Sequence, residues 1–264
     1  MNWRPDLIAL DVDGTVLGFD GSLSPSVTHA VRRARDAGIT VAIATGRSMH
    51  STLPVCWSLG LDNGYAVSSN GAVVVDVGTR TAVDVSTFDP TESVRFFADH
   101  VPDALLAVEQ LGVGYLVTGE FPPGELDGEI VVVSHDELLT GPVTRLVARM
   151  PNGNREEFFE LAHAAGLRGV DYAIGYSAWI DFMPEGVSKA SGLAAMCDRL
   201  GVAAADVLAV GDGHNDMEML AWAGRGVAMG QAPDDVKAVA DDVCPPVEAD
   251  GVAVLLGEYI GQRA

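Results

Sequence analysis

Leu7-Ile8-Ala9-Leu10-Asp11-Val12-Asp13-Gly14-Thr15 decides how this chain folds. Four apolar residues run straight into two carboxylates, a glycine and a hydroxyl. An unbroken apolar run bounded by turn residues is the pattern of a strand buried on both faces of a parallel sheet. In open sheets of that kind ligands bind beyond the carboxyl ends of the strands, where Asp11 and Asp13 fall. A polar turn is the bland alternative, since Asp and Gly are common turn residues. Four fixed residue types at this spacing arise by chance in about 0.003 of chains this long, so chance is a weak competitor.

The flanking sequence extends the same pattern. Ser24-Pro25 reads as a helix start, with Val27, Ala30, Val31 and Ala34 on one face and Gly38 closing it. Ile39 to Ala44 is a second strand, leading into Thr45-Gly46-Arg47. Tyr65 to Val67 is read as a third strand of the same parallel sheet, followed by the turn signal Asn70-Gly71. Between residues 83 and 184 the pattern changes. Ala104–Val108, Gly112–Val117, Glu129–Val133, Val143–Met150 and Tyr172–Phe182 look like strands, with helices at Thr91–His100 and Arg155–Ala165. From Ser188 a helix runs to Leu200 and stops at Gly201. The strand Val207–Val210 leads into Gly211-Asp212, a helix carries Met217, Leu220 and Ala221, and short strands follow around Val227 and Val243. The expected architecture is α/β: a Rossmann-like, doubly wound parallel sheet in two parts, residues 1–82 and 185–264, interrupted by an inserted α+β cap at 83–184, largely antiparallel.

Composition narrows the function. The 264 residues are 48% hydrophobic and 20% charged, so the chain is globular and long enough for a sizeable core. Its net charge of -21 repels nucleic acid and anionic membranes, and neither is expected as a partner. No apolar run is long enough to span a bilayer, the first is too short for a signal peptide, and a cytoplasmic location is expected. Cys56, Cys197 and Cys244 lack paired or C-x-x-C spacing, so neither disulfides nor zinc are expected.

Two carboxylate clusters carry the chemistry. Asp11 can attack phosphorus and form an acyl phosphate, dividing one slow hydrolysis into two easier steps. Asp13 can act as general acid and then general base. Gly14 allows a sharp bend, and Thr15 can donate to phosphate. In Gly211-Asp212-Gly213-His214-Asn215-Asp216, Asp212 alone could be a helix N-cap. A second carboxylate four residues on favours a hard-cation site, and magnesium suits it. In Thr45-Gly46-Arg47 the hydroxyl and the Gly46 amide can bind phosphate at a helix start. Only two of the 16 basic residues are lysines, Lys189 and Lys237. Lys189 opens the helix after the insertion, beside the expected site, while Lys237 lies among acidic residues and reads as a surface lysine.

These clusters, with Ser69-Asn70-Gly71-Ala72 and Gly226-Val227-Ala228-Met229-Gly230, resemble the Cof-like phosphatase branch of the haloacid dehalogenase superfamily over the whole chain. The resemblance implies that Asp11 is the nucleophile and Asp13 the acid/base. It makes Asp11, Asp212 and the Asp13 backbone carbonyl magnesium ligands, supported by Asp216. Asn215 and Thr45 would contact phosphate, and Lys189 would neutralise charge. His214 stands where many relatives carry a glutamate or small residue, and Gln231 replaces a frequent asparagine. The function implied is magnesium-dependent hydrolysis of small phosphorylated metabolites, such as sugar phosphates, under a cap that closes over the core. The alternatives are a phosphosugar mutase of the same fold and a non-catalytic phosphometabolite-binding protein.

Overall fold

The computed structural model describes residues 3–151, 153, 154, 156, 158, 160, 170–174 and 178–260. They form two units. The first comprises Met1–Arg47, Thr52–Asp84 and Ser188–Ala264, the second Ser48–Ser51 and Val85–Val187. The elements begin with β1 (Leu7–Leu10), α1 (Pro25–Asp36), β2 (Thr40–Ile43), α2 (Met49–Ser58), β3 (Tyr65–Ser68), β4 (Val73–Asp76) and β5 (Thr81–Val85). There follow α3 (Thr91–His100), β6 (Leu105–Gln110), β7 (Gly114–Val117), β8 (Glu129–Val132), α4 (His135–Leu138), β9 (Leu146–Arg149), β10 (Val170–Ile174) and β11 (Trp179–Pro184). The chain then forms α5 (Lys189–Leu200), β12 (Val207–Gly211), α6 (Met217–Trp222), β13 (Arg225–Ala228), α7 (Asp234–Val239), β14 (Asp242–Val243) and α8 (Gly251–Ile260).

The first unit is built on a parallel sheet of order β14-β13-β12-β1-β2. Every residue of β1 is buried, as its unbroken apolar run requires. Leu7 and Ala9 pack with Leu193 and Met196 of α5 and with Met219 and Leu220 of α6. Ile8 and Leu10 point to the opposite face and are equally buried. A leucine or isoleucine buried in this way contributes about 1.5–3 kcal/mol. Ser24 caps α1 by accepting from Ser26 N, Pro25 occupies its first turn, and Val27, Ala30, Val31 and Ala34 face inward. On α6 the buried residues are Met219 and Leu220, and Ala221 is exposed.

Two strand assignments need correction. Tyr65–Val67 meets the parallel sheet only at its end. It lies in β3, which pairs antiparallel with β4 in a separate three-stranded sheet. A single parallel bridge, Ala44 to Val67, connects β3 to the end of β2. The turn signal at Asn70-Gly71 thus serves a hairpin. Tyr172–Phe182 is not one strand but parts of β10 and β11, which pair antiparallel with Ala173 opposite Asp181. Most of the helix expected at Arg155–Ala165 lies outside the described residues.

In the second unit the sheet order is β10-β11-β9-β6-β7-β8. All pairs are antiparallel except β7–β8. Alternation puts Leu106, Val108, Leu146, Ala148, Ile180 and Phe182 in a core shared with Val94 and Phe97 of α3. On the other face Arg145, just before β9, donates from Nε to Asp181 Oδ1 at 2.7 Å and from Nη1 to the Tyr115 hydroxyl at 2.9 Å, all three buried. The three cysteines are buried and free, and burial pushes their thiols up, to about 12 for Cys56. No helix among the described residues is long and apolar enough to cross a membrane.

Candidate active site

Strand register creates the site. Leu10 lies opposite Val210 in the parallel pair β1–β12, so both chains leave the sheet side by side into acidic loops. Asp11 still belongs to the ladder through its amide, which donates to Val210 O at 3.0 Å. Gly14 makes the approach of the second loop possible. It sits at φ +82°, and a Cβ there would lie 2.3 Å from Asp212 Oδ2. Carboxylate oxygens of Asp11, Asp212 and Asp216, all buried, come within 4.8 Å of one another.

Lys189 enters this cluster from the start of α5. Ser188 caps that helix and exchanges hydrogen bonds with Ser191, which fixes the first turn. Lys189 Nζ donates to Asp11 Oδ1 and to Asp216 Oδ1, both at 2.6 Å, with its side chain 1% exposed. A helix N-terminus is a poor place for a cation. Burial also works against the ammonium, yet Asp11 and Asp216 outweigh it and hold its pKa above the ordinary lysine value. Burial pushes the Asp11 carboxyl up to about 8; Asp216 and Asp212 push the same way, and Lys189 opposes them. Three buried carboxyl groups surround one ammonium, and a proton held on Asp11 offsets part of the excess negative charge. Asp216 Oδ2 accepts from the amides of Asp212 and Gly213, both at 2.9 Å. Asp216 is therefore already committed to Lys189 and to the shape of its own loop.

The remaining candidates surround this core. Asp13 does not join the buried cluster. Its side chain is 56% exposed and accepts from Arg47 Nε at 2.8 Å and Nη2 at 2.5 Å, a two-point ion pair. Thr45 is buried, and its hydroxyl accepts from the amide of Arg47 at 3.2 Å, closing the turn around Gly46. Asn215 donates from Nδ2 to Asn70 Oδ1 at 3.0 Å. His214 faces away from the cluster, with Nε2 2.9 Å from Asp235 Oδ2 on α7.

Two residues acquire structural significance that residue type alone did not assign. Gln231 donates from Nε2 to Gly14 O at 2.6 Å, approaches Asp212 Oδ2 at 3.3 Å, and accepts from Val247 N at 3.0 Å. It ties together three loops far apart in sequence, and only its departure from a familiar motif drew notice. Asn70, read as part of a turn dipeptide, is buried against Asn215. Nothing local in the sequence distinguishes such an asparagine from an ordinary turn residue.

A family model described as haloacid dehalogenase-like hydrolase matches residues 8–112 and 139–256. A 5-amino-6-(5-phospho-D-ribitylamino)uracil phosphatase of Bacillus subtilis (strain 168) is 31% identical, over 98% of this chain and 99% of its own. A pyridoxal phosphate phosphatase of Escherichia coli (strain K12) is 29% identical, over 96% of this chain and 98% of its own. A phosphatase of the haloalkanoate enzyme superfamily from Bacteroides thetaiotaomicron, of known structure, superposes with a TM-score of 0.81 at 28% identity, over 97% of this chain and 95% of its own. A parallel sheet that ends in paired acidic loops, a lysine buried between their carboxylates and these matches over nearly the whole length lead to one assignment: the chain belongs to the haloacid dehalogenase-like hydrolase family, in its Cof-like phosphatase branch.

Proposed function

We propose that this protein is a magnesium-dependent phosphatase that hydrolyses small phosphate monoesters through an aspartyl-phosphate on Asp11. The observation that carries the reading is the buried Lys189 clamp between Asp11 and Asp216, with Asp212 alongside. Lys189 engages Asp11 Oδ1 and leaves Oδ2 as the attacking atom. That oxygen bonds to phosphorus as the ester oxygen–phosphorus bond breaks, and Asp13 delivers its proton to the leaving oxygen. Asp13 then takes a proton from a water that attacks the phosphorus. The bond to Asp11 breaks, inorganic phosphate leaves and the carboxylate is restored. Arg47 grips both oxygens of Asp13, so the acid step requires one of those contacts to open. Thr45, Gly46 and Asn215 hold the phosphoryl oxygens. Lys189 offsets the negative charge that gathers as two anions approach.

The donor set fits magnesium. It is made of hard carboxylate oxygens in a buried cluster that carries excess negative charge. Asp11, Asp212 and the Asp13 carbonyl would hold the ion, with Asp216 supporting it from behind through Lys189 and the loop amides. When bound, magnesium supplies charge neutralisation for the phosphoryl oxygens and the carboxylates. The names of the relatives include a phosphoribityl compound and pyridoxal phosphate as substrates. Small phosphorylated metabolites are therefore the class to screen, with sugar phosphates first.

Chelation is expected to abolish phosphate release and magnesium to restore it. Calcium is expected to bind but support little turnover, because its looser shell misplaces the nucleophile. Phosphate release with each cation, beside a calorimetric titration of the metal-free protein, checks both statements. Full activity in excess chelator would contradict the metal assignment.

A further inference from the structure

We propose that Asn70 is a phosphate-binding residue of this site, its Nδ2 donating to the transferring phosphoryl group while its Oδ1 orients Asn215. The inference rests on the phosphatase reading above and adds a residue to it.

The backbone around Asn70 is unusual and firmly held. Ser69 and Asn70 both adopt left-handed conformations, at φ +50° and +52°. Two such non-glycine residues in succession are uncommon, and asparagine tolerates the conformation better than most. Strained turns persist where their surroundings enforce them, and they gather at ligand sites. Here the enforcement comes from the neighbouring phosphate-loop candidates. Ser69 N donates to Arg47 O at 2.8 Å, Asn70 N to Thr45 O at 3.1 Å, and Thr45 N to Val67 O at 2.9 Å. The turn after β3 and the turn after β2 are one hydrogen-bonded assembly.

The Asn70 side chain fills the space left by Gly46. A Cβ on Gly46 would lie 2.9 Å from Asn70 Oδ1 and 3.2 Å from its Nδ2, so any larger residue at 46 would push the carboxamide away. The Asn70 carboxamide therefore lies directly beside Gly46, with Asn215 Nδ2 fixing its oxygen at 3.0 Å. Its nitrogen is different. Nδ2 is buried and has no hydrogen-bond partner among the described residues. A carboxamide nitrogen carries two N–H donors, and leaving them unmet in the interior is costly. Buried polar groups in native proteins are nearly always paired, so an exception calls for an explanation. Among the described residues two further exceptions occur, the hydroxyl of Tyr259 on α8 and, nearer, that of Thr15, in the loop that carries Asp11 and Asp13. Unmet donors in the loop of the nucleophile and in the turn bonded to that of Thr45 call for the same kind of partner. That partner is an oxyanion rich in acceptors, such as a phosphoryl group.

Two variants test this. Asn70→Gly suits the left-handed backbone and removes the amide. Asn70→Asp keeps the shape and the oxygen that faces Asn215, but exchanges the donor for negative charge. The measurements are inhibition by inorganic phosphate, kcat and KM on one good ester, magnesium affinity and melting temperature. The inhibition constant for phosphate is expected to rise about tenfold to a hundredfold in Asn70→Gly, the range for a lost hydrogen bond to a charged group, and further in Asn70→Asp. Magnesium affinity and melting temperature of Asn70→Gly are expected to stay near wild type. Phosphate inhibition within about twofold of wild type in both variants would overturn the inference, as would an equal loss of magnesium and phosphate binding, the mark of a purely structural role. If wild type itself releases no phosphate from any ester, the phosphatase reading fails. If wild type turns over normally and phosphate inhibition is unchanged in the Asn70 variants, this inference alone fails.

Discussion

Asp11→Asn is expected to lose about 10⁴-fold or more of kcat while the protein stays folded, because it removes the attacking atom and keeps the shape. The substitution also deletes one of three buried carboxylates. In the metal-free protein that deletion is expected to be tolerated or even stabilising. Folding raises the Asp11 carboxyl from 3.8 to about 8, so the folded state holds a proton that the unfolded state has released. Its contribution to stability is fully present below pH 3.8 and is lost as the pH rises through about 8. Asparagine does not titrate, so the melting temperature of Asp11→Asn should gain on wild type across that window in excess chelator. Thermal melts over the pH range check this, and turnover on one substrate checks the chemistry. A variant that melts lower at high pH, or turns over at a tenth of the wild-type rate, would contradict this role.

Lys189→Arg is expected to lose about 10²–10³-fold of kcat although the charge is conserved. The ammonium is a compact cation, 2.6 Å from Asp11 and 2.6 Å from Asp216, in a fully buried position. A guanidinium is broad and planar, and its bulk would displace the carboxylate that must attack. Overfilling such a site costs about 1–3 kcal/mol, so the variant should still fold. Lys189→Met leaves the carboxylates without their partner and is expected to cost about 3–5 kcal/mol, as broken buried ion pairs do. Lys237→Arg, on α7 and outside this cluster, is the control and should leave turnover unchanged. The measurement is kcat for each variant together with its melting temperature. Near-native turnover in Lys189→Arg would show that Lys189 supplies only a diffuse field.

Much of this was legible in the residues because the local signals agree with the global fold. Leu7–Leu10 and Val207–Val210 read as buried parallel strands and pair in register, so the acidic loops that follow had to lie together. Ser24, Pro25 and Gly201 marked helix ends, and Gly201 does adopt the left-handed conformation at the end of α5. Strand partnership was not legible. Tyr65–Val67 is as apolar as β2 and bridges the end of it in parallel, but the hairpin at Asn70-Gly71 gives it an antiparallel partner, β4. The apolar content of Tyr172–Phe182 concealed a reversal of direction, because periodicity does not report where a chain turns back. In the site, the carboxylates and the lysine were visible because few residue types can do that chemistry. The Asp13–Arg47 pair and the Gln231 and Asn70 contacts depend on loops distant in sequence, and no local pattern encodes them.

The central claim is the covalent intermediate on Asp11. The most direct test mixes wild-type protein, magnesium and a good substrate, quenches the reaction in acid within one turnover, and maps the peptides by mass. One phosphoryl group on the peptide that contains Asp11 is expected. It should be stable in acid, labile in base, and absent from Asp11→Asn. Phosphate release at the wild-type rate, with no phosphoryl group on that peptide at any quench time, would contradict the account.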